Sequence, residues 1–170
     1  MLPPVLTSKR FVLRPYAASD IDRFIEIVMD EATQRFMGGL SADKQQERVS
    51  FSKIFDVYQS RNKRWFWIWG IYENGCLCGH MELKESVHTN GEELELVYMV
   101  HPAERKRGLM SEILDLFNAR QQEWNRQLIA TVSPDNKSSL ALLQRWGVER
   151  TLQLRDEETG ELYLKLYLKR

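Results

Sequence analysis

The chain is poor in cysteine. Among its 170 residues only Cys76 and Cys78 occur, so no disulfide framework can be read. They stand two apart on one expected strand face, a poor arrangement for bridging each other. An excess of one charge is also lacking: 24 lysines and arginines balance 24 aspartates and glutamates. That balance argues against a general nucleic-acid binder, which carries a basic excess. No apolar run approaches the ~20 residues of a membrane span, and Met1 to Arg10 offers no apolar core for a signal peptide. The expectation is a soluble, cytoplasmic protein with neither nucleic-acid nor membrane partners. There is no internal repeat, low-complexity tract or linker, so residues 1–170 are expected to form one domain. A chain of this length buries roughly 70% of its unfolded surface and needs no covalent staples. What is present is ordinary globular usage, 43% apolar and 28% charged, enough for one core under a solvated surface.

The order of elements follows from periodicity. Arg10 to Tyr16 is a β-branched and aromatic run, expected to be the first strand. Ser19 with Asp22 three residues later reads as a capping box, followed by Ile21, Phe24, Ile25, Val28 and Met29 at helical spacing. Gly38 and Gly39 break the chain, and Ser41 is expected to cap a second helix with the stripe Phe51, Ile54, Phe55 and Tyr58. Trp65 to Tyr72 is almost continuously apolar, as in a strand covered on both faces. Asn74-Gly75 predicts a hairpin turn into a strand from Cys76 to Lys84. Asn90-Gly91 marks another turn, and Glu93 to His101 a fourth strand. A helix from Gly108 to about Trp124 turns Leu109, Ile113, Leu116 and Phe117 inward. Gln127 to Val132 is a strand, and Asn136 to Trp146 a helix stopped by Gly147. Val148 to Leu154 and Glu161 to Leu168 make a final hairpin, whose alternating leucines leave one buried face. The order β-α-α-β-β-β-α-β-α-β-β describes an α/β (α+β) fold, a mixed and mostly antiparallel central sheet flanked by helices.

Chemistry concentrates after the fourth strand. Val100, His101 and Pro102 end it, and Glu104, Arg105, Lys106, Arg107 and Gly108 lead into a helix. Three cations at a helix N-terminus oppose the macrodipole, which prefers anions there. A bound polyanion would resolve the conflict: free backbone N–H groups and the positive helix end make a phosphate cradle, and Gly108 lets backbone approach without a Cβ in the way. The plain alternative is a solvated basic turn. The position between an apolar strand and an apolar helix favours the cradle, because ligands of open sheets bind at strand C-termini.

The stretch Arg105-Lys106-Arg107-Gly108-Leu109-Met110 resembles the (Gln/Arg)-x-x-Gly-x-(Gly/Ala) signature of the GNAT acetyltransferase superfamily. Leu94 to Leu116 is similar to that family's strand-loop-helix motif. Asn136, Ser139, Leu142 and Gly147 match its later Asn-x-x-Ser-x-x-Leu-x-x-x-x-Gly-Phe pattern, with Val148 replacing Phe. Lys9 to Pro15 and Phe36-Met37-Gly38-Gly39 resemble the branch that contains ribosomal-protein alanine N-acetyltransferases. The resemblance implies the GNAT fold, acetyl-CoA as co-substrate and transfer of an acetyl group to an amine, at a protein N-terminus or on a small molecule. It implies coenzyme A contacts from Met99 and Val100 on the fourth strand, from Arg105, Lys106, Arg107, Gly108, Leu109, Met110 and Ser111 in the loop, and from Asn136 and Ser139. It also implies that the first two helices and the final hairpin line the acceptor side. Two departures stand out. Met110 replaces a small residue and would crowd the loop unless it turned into the core. Leu143 stands where many members carry a Tyr that protonates the departing thiolate.

Direct acyl transfer needs a neutral amine, a polarised carbonyl and a proton donor for the thiolate. Glu95 is the candidate base, with a surface carboxylate as the alternative, and Tyr98 is a candidate donor, with simple packing as its alternative. His80 and His101 read as structural or exposed. Cys76, Cys78 and His80 share the expected strand face at roughly 7 Å steps, too spread for one tetrahedral ion, so no metal is expected. The competing function is a catalytically reduced acyl-CoA-binding module of the same fold. A homodimer is also open, because the apolar final strand could be covered internally or by a second subunit.

Overall fold

The turn expected at Asn74-Gly75 forms with both residues at positive φ, 51° and 82°, the geometry that matches the right-handed twist of the flanking strands. It joins β3 (Phe66–Glu73) to β4 (Cys76–Lys84) in the computed structural model, which describes residues 2–60, 64–157 and 159–169. The other strands are β1 (Leu6–Thr7), β2 (Val12–Arg14), β5 (Glu93–Val100), β6 (Gln127–Val132), β7 (Val148–Arg155) and β8 (Leu162–Leu168). Among the described residues these eight form one sheet in the order β1-β2-β3-β4-β5-β6-β8-β7. Only β5 and β6 run parallel; every other neighbouring pair is antiparallel. The mixed, mostly antiparallel sheet read from the sequence is thus the fold. The apolar final strand is hydrogen-bonded between β6 and β7, and its Leu166 and Leu168 are buried within the chain.

Helices sit on both faces. On one face α4 (Leu109–Trp124) and α5 (Lys137–Trp146) pack Ile113, Phe117 and Leu143 against Trp69, Met81, Leu94, Leu96 and Leu128 of the sheet. On the other, α1 (Ile21–Val28) and α3 (Lys44–Gln59) pack Phe24, Ile27, Phe51 and Ile54 against Ile68, Tyr72 and Met99. Each such side chain contributes about 1.5–3 kcal/mol by leaving water. Phe66 to Glu73 feeds both clusters, which is why its run is apolar without alternation. No helix among the described residues is long and apolar enough to cross a membrane.

Several expected boundaries move. The first strand is only Val12–Arg14, paired with the additional strand Leu6–Thr7. Ser19 does not cap α1: Asp20 closes the preceding turn by accepting from Ala17 N at 2.7 Å. Ser41 does not cap α3 either. Asp43 does, accepting from Gln45 N at 2.8 Å, while Ser41 hydrogen-bonds the first-turn side chains of Gln46 and Glu47. A short helix, α2 (Glu31–Phe36), lies between them with Asp30 as its cap; six residues are too few to show an apolar period.

The shared face expected for Cys76, Cys78 and His80 is broken by a bulge. Ile71 pairs with Gly79 but Tyr72 with Leu77, so the alternation of β4 slips at Cys78. Cys78 is buried on the α4 side, Cys76 is exposed, and His80 stacks on Tyr16 on the α1 side.

Candidate active site

The site begins where two strands part. β5 and β6 pair at Glu93–Gln127, Leu94–Leu128 and Glu95–Ile129, and no further. Beyond Glu95 the strands diverge around a cleft of about 860 Å³ lined by Leu96 to Val100 on one side and Ala130 to Ser133 on the other. The register tells which backbone groups face it. His101 N donates to Cys78 O, and Gln127 N to Glu92 O. Alternation along the strand then turns the main-chain groups of Met99 toward β4 and those of Leu96, Tyr98 and Val100 toward the cleft. Of the two residues expected to offer main-chain contacts, Val100 turns its groups toward the cleft and Met99 does not: the Met99 carbonyl lies against Gly79, where an added Cβ would meet it at 2.8 Å. Tyr98, two residues before Val100, turns its main-chain groups the same way, a detail that only the pairing register reveals.

At the open end of the cleft lies the loop. Lys106 and Gly108 have φ of 61° and 76°, and Gly108 is the residue before α4, with no side chain capping the helix. The first helical bond runs from Glu112 N to Gly108 O at 3.1 Å, so the N–H groups of Leu109, Met110 and Ser111 have no intrahelical partner. A loop that turns left-handed twice and ends on uncapped N–H groups is a fit for an anionic diphosphate. Met110 packs into the α4 cluster, the residue being 6% exposed, while it still lines the cleft. Leu143 is likewise fully buried there and offers no proton.

The three cations are not equally free. Arg105 donates to the Asp30 carboxylate and, at 3.2 Å, to Thr33 Oγ1. Arg107 is held by Glu104 and, at 2.9 Å, by Glu73. Lys106 alone has no ion pair among the described residues. The expected conflict at the helix start is thus relieved largely by carboxylates brought from other elements. Arg10 braces the loop from below, donating to Arg107 O at 3.0 Å and to Glu112 at 2.8 Å. Sequence reasoning missed Asp30, Glu73 and Arg10 because they lie far away along the chain, whereas Glu104 stands only three residues before Arg107.

Asn136 caps α5, accepting from Ser139 N at 3.2 Å. Ser139 Oγ is 2.8 Å from the Tyr98 hydroxyl. Burial pushes the Tyr98 phenol up to about 12, against a small opposing effect of Ser139. Tyr98 thus lines the cleft from the α5 side as a neutral donor. Glu95 also lines it, but it is no surface carboxylate: the residue is 4% exposed and accepts from Thr131 Oγ1 at 2.5 Å. Lys84 pairs with Glu95 in register, yet its ammonium goes to Glu82 at 2.6 Å. Thr33 and Phe36 of α2 and Met37 just after it line the cleft, while of the elements expected on the acceptor side no described residue of α1, α3, β7 or β8 does. The one convergence of possible metal donors among the described residues, Glu73, Cys78 and Glu104, has Arg107 bonded to both carboxylates.

The sequence profile of the acetyltransferase (GNAT) domain matches residues 10–149, so the chain belongs to the GNAT acetyltransferase family and is an N-acetyltransferase enzyme. No curated protein sequence matches it. Solved structures share its fold along nearly the whole length. A GNAT-family acetyltransferase from Bacillus anthracis is 15% identical, with 96% of both chains covered and a TM-score of 0.74. The Salmonella typhimurium acetyltransferase that modifies the N-terminal serine of a 50S ribosomal subunit protein is 14% identical, with 98% of both chains covered and a TM-score of 0.75. Mycobacterium smegmatis RimJ, solved with a coenzyme A disulfide, is 20% identical over 98% of this chain and 87% of its own, with a TM-score of 0.70.

Proposed function

We propose that the protein transfers the acetyl group of acetyl-CoA directly to a primary amine, at a protein or peptide N-terminus or on a small molecule. The observation that carries this reading is the parting of β5 and β6 after Glu95, which joins the uncapped start of α4 to two proton-carrying side chains in one cleft. Acetyl-CoA, when bound, supplies an activated thioester. The N–H groups of Leu109 to Ser111, Lys106 and a free edge of Arg105 hold its diphosphate, and Asn136 and Ser139 flank the arm. The cleft-facing N–H groups of Tyr98 and Val100 stabilise negative charge developing on a carbonyl oxygen. Glu95 takes a proton from the acceptor ammonium; the freed amine bonds to the acetyl carbon as the carbon–sulfur bond breaks, the Tyr98 hydroxyl protonates the departing thiolate, and the proton that the new amide nitrogen sheds restores the phenol. Holding both reactants in one cleft provides most of the remaining rate.

The likeness to an enzyme acting on a ribosomal-protein N-terminus supports testing peptide N-termini first. The protein is incubated with acetyl-CoA and a panel of peptides, polyamines and small amines, and free thiol is followed together with product mass. Turnover on any amine, dependent on enzyme, supports the proposal. Tight acetyl-CoA binding with no turnover anywhere supports the second reading, an acyl-CoA-binding module, which Leu143 favours by lacking a hydroxyl.

A further inference from the structure

The first residue of the cofactor loop spends part of its side chain elsewhere. Arg105 Nη2 reaches the Asp30 carboxylate and Thr33 Oγ1. The same Asp30 oxygen caps α2, accepting from Thr33 N at 3.0 Å and from Thr33 Oγ1 at 3.2 Å. Thr33 is buried, and α2 supplies the wall of the cleft that includes Phe36 and Met37. One carboxylate oxygen therefore joins the start of the acceptor-side helix to the cofactor loop. Only Nη2 is engaged: among the described residues Nε and Nη1 of Arg105 have no partner. A guanidinium presents five donors in a planar fork, so it can keep Asp30 on one corner and grip a diphosphate along another edge.

We propose that Asp30 and Thr33 are positioning residues that tie α2 to the cofactor loop through Arg105, so that a bound diphosphate and the placement of the acceptor wall stabilise each other. The proposal rests on the reading of the loop as a coenzyme A site. Its physical basis is that Arg105 loses its rotamer freedom only once. Held by Asp30, it meets the phosphate already ordered; held by the phosphate, it fixes Asp30 and the helix behind it. The coupling is reciprocal: whatever the cofactor does for α2, α2 does for cofactor affinity. A static ion pair would instead hold α2 equally with or without ligand.

Hydrogen exchange reads the coupling without any acceptor. The amides of Gln34 and Met37 close the α2 helix on Asp30 O and Thr33 O. In the wild type, saturating coenzyme A should slow their exchange by about 5-fold or more, the lower range of coupling between sites. Asp30→Asn keeps a capping oxygen but removes the charge that holds Arg105. It should quicken ligand-free exchange only slightly, because a partly exposed ion pair is worth little, while it abolishes the slowing and weakens coenzyme A binding in calorimetry by about the factor of that slowing. Equal slowing in wild type and variant overturns the proposal, as does coenzyme A that binds the wild type and leaves α2 exchange untouched. Should Asp30→Asn melt α2 unliganded, Arg105→Gln leaves the cap whole and reads the same quantity; slowing that persists there at saturating coenzyme A overturns it. Coenzyme A that fails to bind the wild type at all overturns the parent reading and this one with it.

Discussion

Glu95 and Tyr98 stand on one strand and face opposite sides of the sheet. The Glu95 carboxylate meets Thr131 at 2.5 Å on the α1 and α3 side, and the Tyr98 hydroxyl meets Ser139 at 2.8 Å on the α5 side. Strand alternation makes this unavoidable for residues an odd number apart. It also suits the chemistry, because an amine that loses a proton and a thiolate that gains one need not compete for the same side of the cleft. In the proposed mechanism the phenol missing from α5 at Leu143 is supplied by Tyr98, whose hydroxyl reaches toward α5 from β5.

Tyr98→Phe tests that replacement. The variant keeps the ring's packing and loses the proton donor. Turnover should fall by about 10²-fold or more, the lower range for general acid–base help, with acetyl-CoA affinity nearly unchanged. Because burial holds the phenol at about 12, the wild type should show no alkaline loss of activity from Tyr98 below that range. Turnover equal to wild type would reduce the hydroxyl to a partner of Ser139.

Gly108→Val tests the cradle. At φ of 76° a β-branched residue is strained, costing about 1–2 kcal/mol, which lowers Tm by roughly 2–8 °C in a chain of this length. The strain alone predicts no change in binding by the folded variant. The cradle predicts more, since reshaping the backbone displaces the N–H groups of Leu109 to Ser111. Acetyl-CoA affinity measured by calorimetry below the transition should drop by about tenfold or more, equivalent to 1.4 kcal/mol. A lower Tm with unaltered affinity would leave Gly108 a purely structural residue.

What the sequence made legible was local. The loop signature, the left-handed glycine, the Asn136 cap and the alternating strands all depend on residues within a few positions of one another. What it hid depended on distant pairing. Nothing near Arg105 announces Asp30, and nothing near Glu95 announces Thr131 or the strand parting beside it. The misplaced face of Cys78 came from a single-residue bulge, which shifts alternation without leaving a mark in hydropathy. The cap at Asp43 rather than Ser41 is a choice between two good capping residues two apart, which only the path of the chain decides.

Glu82 should govern part of the acid stability. Burial pushes its carboxyl up, but the hydrogen bond and charge of His80 and the ammonium of Lys84 outweigh burial and hold it at about 2. The unfolded value is about 4.3, so between these limits the unfolded chain binds more protons and stability rises with pH. The contribution is complete above about pH 4.3 and disappears as pH falls toward 2. Melting curves across that window should show the gap between wild type and Glu82→Gln narrowing with acid. A gap independent of pH would mean that the carboxylate gains nothing from His80 and Lys84.

Glu95 is placed to accept a proton from the amine. Its carboxylate is buried, lines the cleft and has one hydroxyl partner and no cation on it among the described residues. That leaves acceptor capacity for an ammonium arriving from the α2 side. If Glu95 removes the amine's proton, Glu95→Gln should cut turnover by at least about 10²-fold and move the acidic limb of the pH–rate profile, while acetyl-CoA affinity stays nearly constant. Thr131→Val sharpens the test. Removing a hydrogen bond donated to a carboxylate favours its protonated form, so the acidic limb of that variant should shift to higher pH with a much smaller loss of maximal rate. The rival account has the amine arriving already neutral, with Glu95 only orienting it. It predicts a modest effect of Glu95→Gln and a limb that neither variant moves. The two accounts therefore differ in the position of the limb, not merely in the size of a rate, and an unmoved limb in Thr131→Val together with a small loss in Glu95→Gln would remove Glu95 from the proton transfer.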